Sequence, residues 1–294
     1  LFINRVVHTS QSFEKLPKIK GILAGKNSIS KNIAIANQKK MKKTAIITGA
    51  SAGIGEACAS LLASLGYNLI LCARRKDRLT HLADELKQNY GTDSLCLELD
   101  VRDRKQVENT FSNLPGEWKC PNVLINNAGL AAGLAPIESG DPDDWDVMID
   151  TNIKGLLYVT RSVAPLMIAH GGGHIINIGS IAGKEVYANG NVYCSTKHAV
   201  DALNRGMRID LAKYPIKVSA VHPGAVETEF SIVRFKGDTE RASKVYEGFE
   251  NLVAADIADA IGYILSRPPH VNINDMIIMP TAQPCAGVIH RKAQ

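Results

Sequence analysis

A chain of 294 residues with 45% hydrophobic content is long enough for one large domain whose core needs no staples. The formal charge of +5 is a poor sign of anionic partners, because residues 1–40 hold eight Lys/Arg against the single acid Glu14 and the other 254 residues balance at −2. The sequence therefore makes no electrostatic case for nucleic-acid binding, and no apolar run approaches the ~18–20 residues of a membrane-spanning helix.

Residues 1–40 lack hydrophobic periodicity and are read as an appendage, disordered or non-native, ahead of a single domain over residues 41–294. Their basic, Ser-containing, acid-poor composition is equally that of an organelle transit peptide. The leading Leu, and Met41 just before the first strand, favour an upstream segment and a cytoplasmic protein. Six cysteines (Cys58, Cys72, Cys96, Cys120, Cys194, Cys285) form no C-x-x-C pair, which fits reduced thiols. No His cluster has metal-ligand spacing, so no metal is expected.

After Met41, apolar strands alternate with helices. Strands are expected at Lys43–Thr48, Asn68–Cys72, Ser94–Leu99, Val123–Asn126, Ile175–Ile178, Lys217–Val221 and Met276–Met279. Helices are expected at Ser51–Gly66, Lys76–Tyr90, Trp145–His170 and Tyr193–Tyr214. That rhythm predicts an α/β fold of the Rossmann type, a doubly wound parallel sheet of about seven strands with helices on both faces. Ligands of such sheets bind beyond the carboxyl ends of the strands.

The unusual residues fall just there. Thr48 to Gly55 (T-G-A-S-A-G-I-G) follows the first strand and opens a helix; Gly49, Gly53 and Gly55 allow a tight turn and close approach of a pyrophosphate to the helix N-terminus. Arg74 and Arg75 end the second strand where an NAD site would place an acid, and positions 72–75 hold no Asp or Glu, which favours NADP(H). A solvated pair of helix-start charges is the plainer alternative. Asp100 after the third strand can bond an adenine amine, and Ala128 and Gly129 after the fourth leave room for a nucleotide.

Tyr193 and Lys197, spaced i and i+4, share one helix face. An ammonium one turn away should lower the phenol pKa from about 10 and make Tyr193 a general acid/base. Ser180 follows the fifth strand and can donate to a substrate oxygen. Asn152 is polar among Met148, Ile149, Ile153 and Leu156, and a buried Asn needs partners, water among them.

This ordered set (T-G-x-x-x-G-I-G at 48–55, N-N-A-G at 126–129, Asn152, Ser180, Y-x-x-x-K at 193–197, P-G-x-V-x-T at 223–228) resembles the classical short-chain dehydrogenase/reductase family over residues 43–280. The resemblance implies a catalytic set of four: Tyr193 exchanges the proton, Lys197 lowers its pKa and holds the nicotinamide ribose, Ser180 orients the carbonyl oxygen, and Asn152 holds a water. It also implies NADP(H) contacts from Gly49, Ser51, Gly53, Ile54, Gly55, Arg74, Arg75, Asp100, Val101, Asn127, Ala128, Gly129, Tyr193, Lys197, Pro223, Gly224, Val226 and Thr228.

The stretch from Glu227 to Asp238, with Pro280, Gln283, Ala286-Gly287 and His290-Arg291, is similar to the NADP-dependent 3-hydroxy acid dehydrogenases acting on serine and L-allo-threonine. That similarity implies a homotetramer with subunit faces on the helices Trp145–His170 and Tyr193–Tyr214. Substrate contacts are expected from Ser180, Tyr193 and Arg234, the last binding a carboxylate through its guanidinium fork, with Lys236 as the fallback. Arg234 could equally anchor the loop. A reductase of neutral ketones or aldehydes and a nucleotide-binding regulator without turnover are the alternatives.

Overall fold

The computed structural model describes residues 42–292, so the appendage expected at residues 1–40 lies outside the described residues. Seven strands form one all-parallel sheet in the order β3-β2-β1-β4-β5-β6-β9. They are β1 (Thr44–Thr48), β2 (Asn68–Ala73), β3 (Ser94–Glu98), β4 (Pro121–Asn126), β5 (Gly173–Ile178), β6 (Ile216–Pro223) and β9 (Asp275–Ile278). The order reverses between β1 and β4, which makes their carboxyl ends the switch point where a ligand crevice opens.

The strands read as unbroken apolar runs because both faces are covered. On one face Ala45, Ile47, Leu69 and Leu71 pack under α1 (Gly53–Ser64), α2 (Lys76–Tyr90) and α9 (Ala254–Leu265). Ile46, Ile70 and Leu124 point the other way, onto α3 (Arg104–Ser112) and α5 (Leu156–Ala169), with Phe111 and Met167 fully buried between. Each large apolar side chain so buried contributes roughly 1.5–3 kcal/mol. Helix α2 shows the pattern in its simplest form: Leu79, Leu82 and Leu86 make its buried stripe, and Gly91 ends it in the left-handed conformation at φ 63°.

Two expectations need correction. The single helix expected at Trp145–His170 is α4 (Pro142–Ile149), a π-helical turn (Asp150–Gly155) and α5. It begins earlier because Asp141 accepts the Asp143 N–H and Pro142 occupies the first turn. It is interrupted because Asn152 is drawn out of register by partners on neighbouring elements. The helix expected at Tyr193–Tyr214 is α6 (Asn191–Leu211), which likewise starts earlier and also ends earlier. A second, two-stranded parallel pair, β7 (Val226–Glu227) with β8 (Leu252–Val253), flanks the short helices α7 (Phe230–Arg234) and α8 (Thr239–Lys244). Strands of two residues carry no periodicity, so the sequence does not announce them.

Within β5, His174 is buried and its Nε2 bonds Ser219 Oγ at 2.8 Å. Burial, reinforced by the Lys217 charge, pushes its pKa from 6.5 down to about 3. Below about 6.5 the unfolded chain takes up a proton that the folded chain refuses until about 3, so stability should fall as pH drops through that window. The loss is on the order of 2–4 kcal/mol. His174→Gln, which keeps the bond to Ser219, should flatten the acid limb of the Tm–pH curve by that share; an unchanged limb would place the acid-labile group elsewhere.

Candidate active site

A cleft of about 520 Å³ runs along the carboxyl ends of the strands, from the β1–α1 turn to α7. Its floor is a clasp between β1 and β4. Asn127 Nδ2 donates to Thr48 O at 2.9 Å and Gly49 O at 3.1 Å, while Thr48 Oγ1 accepts the N–H groups of Asn127 and Ala128 at 3.1 and 3.0 Å. A Cβ on Gly49, which has φ +65°, would sit 3.0 Å from Ala128 Cα, and one on Gly55 would collide with Gly49 O. The glycines are therefore required by chain packing as well as by approach of a ligand. The Asn127 side chain holds the glycine turn, and the residue lines the cleft where a cofactor contact is expected of it.

One end of the cleft is a charge cluster. Arg75 donates through Nε and Nη2 to Ser51 Oγ at 3.3 and 3.2 Å, and through Nη1 to Glu229 at 2.8 Å. Glu229 also takes Arg78 Nη1 at 2.6 Å, and hydrogen bonds from Arg78 and Arg75 hold its carboxyl below the usual glutamate range. Arg74 lines the cleft without a hydrogen bond or ion pair among the described residues. Asp100 also lines it, but its carboxylate is gripped by Arg102 at 2.6 and 3.0 Å and held low by that bond. An adenine amine would have to share Asp100 with Arg102.

The expected catalytic residues converge at the opposite end. Tyr193 and Lys197 project from α6, and both are buried. Lys197 Nζ donates to Ile178 O at 2.9 Å, and burial lowers its pKa from 10.5 to about 8. Burial also raises the Tyr193 phenol well above the usual tyrosine range, and Tyr187 adds to the rise. The opposing pulls come from the Ser180 hydroxyl, which faces the phenol, and the Arg234 charge. The expectation that Lys197 depresses this pKa is therefore not met here: its ammonium is turned to a carbonyl, and desolvation dominates. The group is thus held in its protonated form, the form that can donate to a carbonyl oxygen.

Ser180 caps the turn Ile181–Gly183, its Oγ accepting Ala182 N–H at 3.1 Å. Lys184, just beyond, binds Asp201 of α6 at 2.6 Å and Asp275 of β9 at 3.4 Å, which ties the serine turn to the helix that bears Tyr193. Asn152 emerges from the π-helical turn. Its Oδ1 accepts Leu130 N–H at 2.8 Å, and its Nδ2 donates to Leu130 O at 2.8 Å and Thr196 Oγ1 at 3.0 Å. The amide thus joins the β4 loop to α6, and its Oδ1, which accepts one bond, keeps a second lone pair for the water expected from the sequence.

Above the site, Arg234 Nε donates to Gly133 O at 3.1 Å and Nη1 to Tyr187 Oη at 3.0 Å; its guanidinium lies 5.7 Å from the Tyr193 ring centroid. Phe230 meets Tyr193 edge-on with centroids 5.6 Å apart. Thr228 faces Gly53 across the cleft, where a Cβ would approach its Cγ2 to 3.1 Å, and Pro223, Gly224 and Val226 continue that wall with Gln283. Lys236, the fallback cation, is paired with Asp144 at 2.9 Å and Asp141 at 3.2 Å. Tyr187 and Thr196 carry no expectation from the sequence, and Glu229 and Phe230 belong to the stretch likened to the hydroxy acid dehydrogenases without a role of their own. The signal for Tyr187 and Thr196 is absent from local spacing, whereas Glu229 and Phe230 adjoin Thr228 and could have been suspected.

The short chain dehydrogenase family profile matches residues 43–238. The NADP-dependent 3-hydroxy acid dehydrogenase YdfG of Salmonella typhi is 46% identical over 248 residues, 84% of this chain and 98% of that protein. The NADP-dependent 3-hydroxy acid dehydrogenase of Schizosaccharomyces pombe is 42% identical over 251 residues, 85% of this chain and 97% of that protein. Among solved structures, the closed form of serine dehydrogenase complexed with NADP+ superposes with a TM-score of 0.79 at 43% identity, covering 85% of this chain and all of that one. With a match of that length and relatives of that similarity, the chain belongs to the short-chain dehydrogenase family.

Proposed function

We propose that this protein is an NADP(H)-dependent oxidoreductase of 3-hydroxy acids of the serine, L-allo-threonine and 3-hydroxypropionate type, running reversibly as a semialdehyde reductase. The observation that carries it is the meeting, at one end of the cleft, of the Tyr193 phenol, the Ser180 hydroxyl and the Arg234 guanidinium. The names of its relatives support both the cofactor and the substrate class. The glycine turn and the arginines fit a phosphorylated dinucleotide, since a Cβ at Gly53 would narrow the cleft against Thr228 and Arg74 is uncommitted. When bound, the nicotinamide supplies or accepts the hydride.

The chain's own residues do the rest. In reduction, Ser180 donates a hydrogen bond to the carbonyl oxygen and Tyr193 delivers the proton to it. Lys197, cationic below a pH of about 8, lies behind them and is available to the nicotinamide ribose. Asn152 keeps the β4 loop and α6 in register. Arg234 retains Nη2 and the second hydrogen of Nη1 for a substrate carboxylate, two parallel donors that would fix the hydroxyl carbon opposite Tyr193.

The bonds already made by Arg234 favour a second reading, in which it only anchors the loop and the substrate is a neutral ketone or aldehyde. A regulator without turnover has no such support, because the four catalytic positions are all filled. Within the first reading the enzyme is a cytoplasmic homotetramer packed through α5 and α6, on which Leu157 and Ile209 are exposed. No helix among the described residues is long and apolar enough to cross a membrane.

Tyr193→Phe should cut kcat by roughly 10²–10⁴-fold while NADPH binding, followed by fluorescence, stays near normal. A variant retaining more than a tenth of kcat would show that the proton comes from elsewhere. Arg74→Ala with Arg75→Ala should erode the preference for NADP over NAD by about ten- to a hundredfold in kcat/KM; an unchanged ratio would remove them from the phosphate site. Arg234→Ala should raise KM strongly for serine and 3-hydroxypropionate and little for small neutral aldehydes. Equal losses for both classes would assign Arg234 to the loop alone.

A further inference from the structure

The acid that positions 72–75 lack is present after all, brought in from the far side of the cleft. Glu229 stands 154 residues from Arg75 in sequence, yet its carboxylate bonds Arg75 and, at 2.6 Å, Arg78. It lines the same cleft as Ser51, Arg74 and Arg75. We propose that Glu229 is a determinant of cofactor selectivity: its carboxylate occupies the arginine cradle meant for the 2′-phosphate of NADP(H) and competes with that phosphate for Arg75.

This rests on the reading above that Arg74 and Arg75 receive the phosphate. The donors of Arg75 are already distributed, Nε and Nη2 to Ser51 and Nη1 to Glu229. A phosphate monoester carrying about −1.5 to −2 charges cannot take the guanidinium fork while a carboxylate bonds the same group without like-charge repulsion. Arg74, lacking such a partner, is the group a 2′-phosphate meets first; full engagement of Arg75 requires Glu229 to withdraw onto Arg78 or into solvent. A cofactor with a free 2′-hydroxyl meets the opposite situation, since a carboxylate accepts from a hydroxyl. Glu229 therefore weakens NADP(H) binding selectively and keeps the preference for it below what the arginines alone would give. Because both members of the pair are partly exposed, the effect is modest and sensitive to salt.

The test uses adenosine 2′,5′-bisphosphate and 5′-AMP as probes, titrated calorimetrically into the full chain. Glu229→Gln should bind the bisphosphate roughly three- to tenfold more tightly and 5′-AMP no more tightly than the parent chain does, and the gain should shrink at high salt. It should also vanish in an Arg75→Ala background, which a loosened α7 alone would not bring about. An unchanged or weaker affinity in Glu229→Gln, with Arg75→Ala still losing the bisphosphate, overturns the proposal and leaves the phosphate site standing. Should Arg75→Ala bind the bisphosphate as tightly as the parent chain, both fall together.

Discussion

The clasp between Thr48 and Asn127 is the contact on which the rest of the site depends. A doubly wound sheet must part at its switch point, and there two strand ends leave backbone groups without ladder partners. Thr48 and Asn127 satisfy four of them at once and fix the distance between the β1 and β4 loops. The glycines follow from that distance, because neither Gly49 nor Gly55 has room for a side chain once the clasp is closed. What reads in the sequence as a nucleotide signature is thus first a solution to a packing problem, and the cleft is what the solution leaves over.

A second constraint is electrostatic. The fold buries Lys197 and Tyr193 side by side in a place that penalises charge on either, which holds the phenol protonated and weakens the hold of the ammonium on its proton. Lys197 is thereby brought toward neutrality, while Tyr193 is kept in the form that donates. The site is kept rigid by polar bonds from outside: Lys184 with Asp201 and Asp275 behind Ser180, and Asn152 with Leu130 and Thr196 beneath Tyr193.

Much of this was legible in the sequence where the cause is local. Seven apolar runs bounded by turn residues give seven strands, because burial on both faces forces continuous hydrophobicity. The glycine turn, Ser180 and the Tyr193–Lys197 spacing lie within single elements and fall in the one cleft. The break around Asn152 escaped, since its cause is a hydrogen bond to Leu130 that no helical pattern encodes. The Arg75–Glu229 pair escaped for the same reason, and it changed the meaning of the missing acid after β2. The depressed tyrosine pKa expected from spacing failed because spacing says nothing about desolvation, nor about the Ile178 carbonyl that claims Lys197.

The π-helical turn at Asp150–Gly155 does more than expose Asn152. One extra residue wound regularly would rotate everything after it by about 100°, and the wider turn takes that residue up without the rotation. The stripe that α5 presents to the sheet, Val159, Val163 and Met167, thereby keeps its place against the core despite the added residue. Rewinding the turn as regular helix with every residue kept would swing that stripe away from the core, so the wide turn cannot relax unless a residue is lost or α5 is rewritten. The geometry around Asn152 is in this way underwritten by hydrophobic packing some distance from it, and drift at the surface of the helix leaves it untouched.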